Sequence, residues 1–232
     1  ASQAVSLEKA GNYVFKNDGD ALLLGEKAAE LAFNSGKKNS AILFAEYNDT
    51  TIDSKNSFIN KFEALGGKIN AVEAIGKDSI DFKTQLSKIK AVNPDILFMS
   101  LLTGNNVIAL KQIKELDLNA LIISNGSVEA QEVIDGAKES AEKVVFVTLQ
   151  GFPSNNFVEK ITSKFGHGPK RWSVEAYDGL HIIASALSKI SAKIERNSLQ
   201  DELSKIRSYA GESGRIEFDA EGNAIRPVFI KQ

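Results

Sequence analysis

Five short segments, 41–44, 69–75, 96–100, 121–124 and 144–149, are rich in Ile, Val and Phe and mostly lack strict polar alternation. Strands that are apolar on both faces belong in a parallel sheet covered on both sides. Successive segments begin about 25 residues apart, which fits a strand, a turn, a helix and a return. The stretches between them carry helical periodicity: Phe58, Phe62 and Leu65 fall at i, i+4 and i+7, as do Phe82, Leu86 and Ile89, while Leu110, Ile113 and Leu116 step by three. Gly66-Gly67 follows the first of these helices where a left-handed residue is wanted. Pro94 closes the next one just before the strand at Ile96. The pattern predicts a doubly wound α/β lobe with a parallel sheet from about Asp20 to Leu149.

After Gln150 the pattern changes. Gly151-Phe152-Pro153-Ser154-Asn155-Asn156 reads as a connector, followed by helical stretches over 157–165, 174–194 and 199–208 with no strand between them. Their apolar faces call for a sheet that this region does not supply. In the tail, 215–218 and 227–230 flank Asp219-Ala220-Glu221-Gly222-Asn223 and predict a hairpin.

Composition narrows the function classes. A net charge of -2 with no cluster of Lys and Arg argues against nucleic acid as a partner. The chain has no Cys, which excludes thiolate catalysis, disulfides and Cys-based zinc sites. No apolar run reaches the roughly 20 residues that span a bilayer as a helix. The chain opens on Ala1-Ser2-Gln3 without an initiator Met, as a processed protein or a piece of a longer one would.

The inventory for catalysis or metal binding is thin. His167 lies in the loop Gly166-His167-Gly168-Pro169 and His181 inside a helix beside Leu180 and Ile182; neither has Cys or a carboxylate at ligand spacing. They are read as a solvated loop residue and a packed or surface histidine. No GxGxxG or GxxxxGK[ST] string follows a strand. Asp219-Ala220-Glu221-Gly222 resembles the start of a calcium loop but lacks its closing Glu, and is read as a turn. No catalytic residue, metal or cofactor is expected. Position gives the remaining signal, because ligands of open α/β sheets bind beyond the carboxyl ends of the strands. Three such ends run into polar or small residues: 45–50, 101–104 and 124–127.

Four blocks then resemble a known family in order and spacing. They are Asp81-Phe82 with Leu86, Ile89-Lys90, Pro94-Asp95 and Phe98; Phe62-Glu63-Ala64-Leu65-Gly66-Gly67; Ala176-Tyr177-Asp178-Gly179; and Gly214-Arg215-Ile216-Glu217-Phe218-Asp219 with Gly222. They are similar to segments of type I periplasmic binding proteins of the branched-chain amino-acid (Leu/Ile/Val) class. The resemblance implies two α/β lobes that close on a ligand. It assigns 18–150 and 209–232 to a complete C-terminal lobe and 1–17 and 151–208 to a partial N-terminal lobe. It also implies that roughly the first hundred residues of the family pattern precede this chain, so that a missing N-terminal lobe segment, or a swapped or associated copy, would cover the unpartnered helices.

The same resemblance suggests site residues. Ser2 falls on the hydroxyl position that helps hold a ligand carboxylate. The aromatic of the first C-lobe loop is replaced by Asp49-Thr50-Thr51, a second site aromatic aligns with Leu102 or Thr103, and the acidic partner of a ligand ammonium falls on Asn125 or Gly126. An ammonium then depends on Glu46 or Asp49 for a countercharge. The expected function is that of an extracytoplasmic solute-binding protein, not an enzyme. It would capture a small amino-acid-like or carboxylate ligand for an ABC permease, and would be periplasmic or held at the outside of a bacterial membrane. A ligand-sensing receptor or regulator on the same fold is the alternative, since fold does not decide between them. An α/β enzyme using Asp49 or Glu46 is a third class.

Overall fold

The computed structural model describes residues 3, 11–149, 151, 153–170 and 172–232. In chain order the elements are α1 (Ala21–Asn34), β1 (Asn39–Ala45), α2 (Asp49–Ala64), β2 (Lys68–Ile75), α3 (Lys83–Ala91), β3 (Ile96–Ser100), α4 (Thr103–Glu115), β4 (Leu121–Asn125), α5 (Gln131–Ala137), β5 (Val145–Thr148), α6 (Asn155–Phe165), α7 (Ser173–Ser188), α8 (Arg196–Ser204), β6 (Tyr209–Gly211), β7 (Gly214–Phe218), β8 (Ala224–Ile225) and β9 (Phe229–Lys231). They divide into two compact units, one of residues 21–148 and 228–232, the other of residues 1–20 and 149–227.

The first unit is a six-stranded sheet in the order β2-β1-β3-β4-β5-β9. Its first five strands pair in parallel as expected, and β9 closes the far edge antiparallel to β5. Alternate residues serve opposite faces. Ala41, Leu43, Ala45, Leu97, Met99 and Leu101 pack with Leu86 and Ile89 of α3, Leu110 and Ile113 of α4 and Val133 of α5. On the other face Phe98 stacks 4.2 Å from Phe58 of α2, which stacks in turn on Phe62. Every residue of β3 is buried, the mark of a central strand covered on both sides.

Two helix details follow from the sequence. At the end of α2, Gly66 takes φ 92°, and the Gly66 and Gly67 amides donate to the Glu63 and Phe62 carbonyls. This is a Schellman termination, and the positive φ favours glycine. The helix α1 is absent from the pattern-based expectation. Its buried face is Ala21, Leu24, Gly25, Ala28, Ala29 and Ala32, small residues that let it lie close against Thr51, Ser54 and Ser57 of α2. The Ser57 hydroxyl donates to the Leu22 carbonyl at 2.6 Å.

The second unit holds α6, α7, α8 and the antiparallel strands β6-β7-β8. Ile182 and Ala186 of α7, Leu203 of α8, and Ile206, Ile216, Phe218 and Ala224 form its core. Helix α7 stops at Ser188 rather than near residue 194: beyond Ala186 no residue up to Ile194 is fully buried, and Ile194 is 61% exposed. Leu180 and Ile183 of the same helix are exposed as well, the apolar surplus that the sequence pattern left without a sheet.

The tail differs from expectation. Residues 215–218 do not pair with 227–230; β7 turns at Asp219 and pairs with β8, while β9 joins the other sheet. The Asp219 carboxylate shapes that turn by accepting from the Glu221 and Asn223 amides, so it is committed to the backbone. Pro227, which has no N–H to give a ladder, follows β8 after Arg226 and lies between it and β9. Segment 209–227 accordingly packs with α7 and α8, and 228–232 groups with residues 21–148.

A buried polar node ties this second unit together. The Asp178 carboxylate of α7 accepts from the Glu212 and Ser213 amides at 2.8 Å each, and from the Ser213 hydroxyl. Ser213 accepts in turn from the Arg226 guanidinium at 2.8 Å, and Arg226 also donates to the Asn17 carbonyl. Burial pushes the Arg226 pKa down, while Asp18, Glu175 and Asp178 oppose the shift. Two of the blocks behind the family resemblance, 176–179 and 214–222, thus meet through Asp178 and the residues just before β7.

Candidate ligand-binding site

Strand order fixes where a ligand should meet the first unit. Chain connections run from β1 outward to β2 and then back to β3 on the other side of β1, so the strand order reverses between β1 and β3. A crevice opens outside the carboxyl ends of the strands at such a point. The loops after β1, β3 and β4 lie side by side along that edge because the strands do. The structure therefore brings together Glu46, Asp49, Thr50, Leu102, Thr103, Asn125 and Gly126, whereas Ser2 lies outside the described residues.

These residues do different things. Asn48 caps α2, its side chain accepting from the Thr51 amide at 3.2 Å, so Asp49 and Thr50 form the first turn of that helix. An acidic residue there suits the positive end of the helix dipole. Glu46 turns toward the β2 side: its carboxylate sits beside Gly76, 3.9 Å from where a β-carbon on that glycine would be. It therefore lies across β1 from the reversal point. Leu102 precedes α4 and Thr103 begins it; no side chain caps that helix and its first turn has no acidic residue.

Asn125 is committed to the fold. Its amide nitrogen donates to the Leu101 carbonyl at 3.1 Å, and its oxygen accepts from both the amide and the hydroxyl of Ser127. Gly126 is buried and begins the short 3-10 turn Gly126–Glu129. Ser127 is the hub: its hydroxyl lies 2.6 Å from the Leu101 carbonyl and accepts from the Asn106 amide at 2.7 Å. Replacing Ser127 by alanine strands Asn106, which is fully buried, and should lower stability by about 1–3 kcal/mol. Equilibrium urea unfolding measures this, and a change within 0.3 kcal/mol, about the usual noise between independent sites, would remove Ser127 from the hub.

Tyr47, Asn105, Asn106 and Ser127 complete the edge. Tyr47 lies in one of the loops singled out by position, two residues after β1, and its hydroxyl donates to the Asn105 side-chain oxygen at 2.8 Å. It supplies an aromatic ring in a loop where the motif alignment shows only Asp49-Thr50-Thr51. Asn105 and Asn106 sit in the first turn of α4, and a polar pair entering an amphipathic helix is the signal that marks them. The buried polar residues of this edge, Thr51, Ser100, Asn105, Asn106, Ser124, Asn125 and Ser127, are all neutral.

The histidines stand apart from this edge. His167 is exposed in its loop, and His181 lies on α7 with its ring 4.3 Å from that of Tyr177. A polar cavity of about 260 Å3 in the second unit is lined by Tyr177, Asp178, His181, Tyr209 and Glu212. Burial, with Asp178 and Tyr177 nearby, pushes the Tyr209 hydroxyl pKa up. No group of three or more metal-ligating side chains occurs among the described residues.

A family model described as periplasmic binding protein matches residues 2–232. The chain belongs to the periplasmic binding protein family. No curated protein matches the sequence significantly. Among solved structures of the family's fold, the leucine binding protein LivK from Thermotoga maritima is 26% identical with a TM-score of 0.91, the match covering 99% of this chain and 67% of that one. An ABC-transporter solute binding protein from Rhodopseudomonas palustris, in complex with 3,4-dihydroxybenzoic acid, is 23% identical at a TM-score of 0.87, covering 100% and 66%. LivJ from Streptococcus pneumoniae, in complex with isoleucine, is 20% identical at 0.87, covering 99% and 67%. The chain thus spans about two thirds of the length of these periplasmic binding proteins.

Proposed function

We propose that this chain captures a small amino-acid-like or carboxylate solute outside the cytoplasm and delivers it to the permease of an ABC transporter. The observation that carries this reading is the carboxyl edge at the β1/β3 reversal, where hydrogen-bonding side chains from three loops converge beside the uncapped start of α4. Helix N-termini favour anions, which suits a ligand carboxylate. Solved relatives carry amino acids or dihydroxybenzoic acid, and both classes have that group. The protein would be periplasmic, or anchored at the outer face of a bacterial membrane, and would bind its solute without turning it over.

In this reading the six-stranded unit is the C-terminal lobe and the helices α6–α8 belong to the N-terminal lobe. The exposed Leu180 and Ile183 would be covered by further chain of that lobe or by an associated copy. A thermal-shift screen of the full-length protein against amino acids and small aromatic and aliphatic carboxylates tests the proposal. A true ligand at 100 times its Kd adds about 2.7 kcal/mol and should raise Tm by roughly 5–10 °C. If no member of such a panel moves Tm, this solute class is wrong.

A further inference from the structure

We propose that the end of the ligand facing this edge carries no ammonium group, so that the protein selects a carboxylate with a neutral or hydroxylated body over an α-amino acid. The inference rests on the receptor reading above and names its solute class. A buried ammonium needs an anionic or at least a free accepting partner, and without one its transfer from water is strongly unfavourable. The carboxylates in these loops are engaged elsewhere: Glu129, which ends the turn after β4, is ion-paired with Lys231 at 2.6 Å. Glu46 lies on the β2 side of β1, beside Gly76, and Asp49 occupies the exposed first turn of α2. The family resemblance places an ammonium against either Gly126, which has no side chain, or Asn125. Asn125 is uncharged, and both atoms of its amide are already bonded to Leu101 and Ser127.

What the edge presents to a ligand is donors, since the unbonded side-chain oxygen of Asn106 is sealed from solvent. Asn105 is 8% exposed, and its oxygen is taken by the Tyr47 hydroxyl. Its amide nitrogen donates to no described residue, which leaves two N–H groups available beside the free amides that begin α4. Together these form an electron-poor patch that attracts a carboxylate, carbonyl or hydroxyl oxygen and repels a cation. The Tyr47 ring, fixed by its own hydroxyl, provides an apolar surface for the body of such a ligand.

Calorimetric titration of the full-length protein with matched pairs tests this: L-leucine against 4-methylpentanoate, and L-phenylalanine against 3-phenylpropanoate, with 4-hydroxybenzoate as a ring-hydroxylated probe. The acid lacking the amino group should bind about tenfold or more tightly than its partner. In Asn105→Asp the free N–H groups become a carboxylate oxygen at a helix start that tolerates acidic residues, and the preference within each pair should move by about tenfold toward the amino acid. Tighter binding of the amino acids by the unaltered protein would overturn the inference and leave the receptor reading standing. Absence of binding by every probe would overturn both. Preference for the des-amino acids with an unmoved ratio in Asn105→Asp would remove Asn105 from the selecting surface and overturn the inference as argued.

Discussion

Asp178→Ala should destabilise the protein by about 3–5 kcal/mol, the scale seen when one member of a buried charged network is removed. The carboxylate is 1% exposed and satisfies the Glu212 and Ser213 amides and the Ser213 hydroxyl. Without it, two buried N–H groups lose their acceptor, and Arg226, 4% exposed, loses a counterion. Domain stabilities are about 5–15 kcal/mol in total, so the loss is a large share of what holds these elements together. Because Asp178 links α7 to the segment between β6 and β7, amide hydrogen exchange should accelerate across 209–227 in particular. Urea midpoints of the wild type and the variant give the magnitude. A loss below about 1 kcal/mol, the size of one ordinary hydrogen bond, would mean that the node is not the anchor described here.

Gly25→Ala is a smaller chemical change with a smaller but still measurable expected cost. A β-carbon on Gly25 would stand 2.2 Å from the Ser54 carbonyl oxygen and 2.8 Å from the Phe58 nitrogen, both backbone atoms of α2. Neither can rotate away, so α1 and α2 must separate, and with them the small-residue contacts and the Ser57 bond to Leu22. Alanine is intrinsically better than glycine inside a helix by about 1 kcal/mol, which sets the opposing term. Overpacking a close contact costs about 1–3 kcal/mol and occasionally more, so a net loss of about 1–2 kcal/mol is expected, with Tm lower by roughly 2–8 °C. A neutral or raised Tm would show that the two helices can part without penalty. Gly36→Ala is not an adequate control, since Gly36 has φ 81° and alanine would be strained there; Gly104→Ala, with nothing within 4 Å of its added carbon, isolates the steric term.

The sheet was legible because its strands are buried on both faces, and continuous apolar runs such as 96–100 have few other uses in a chain of this composition. Helix α1 was not, since its buried stripe is alanine and glycine, whose weak apolar contrast hides the period while making the close packing possible. The tail was misread for a related reason. Two β-rich runs around a turn look like one hairpin, and only the absence of a donor at Pro227 hints that the second run belongs elsewhere. At the site, strand-end position singles out the loops after β1, β3 and β4. It cannot rank residues inside them, because Glu46 and Tyr47 are neighbours in one turn and their side chains serve different partners. Asn105 and Asn106 are marked by the polar pair that opens α4, but their partners Tyr47 and Ser127 come from other loops, which no local pattern contains.

On the proposed reading, an edge built from buried amides and hydroxyls has a consequence for a receptor working outside the cytoplasm, where acidity follows the surroundings. The buried groups that line it, from Thr51 to Ser127, carry no carboxylate, amine or imidazole, so their hydrogen bonds do not depend on proton concentration across the range in which such proteins stay folded. Solute capture through this edge would then follow the ionisation of the solute itself, with the same receptor geometry in acidic as in neutral surroundings.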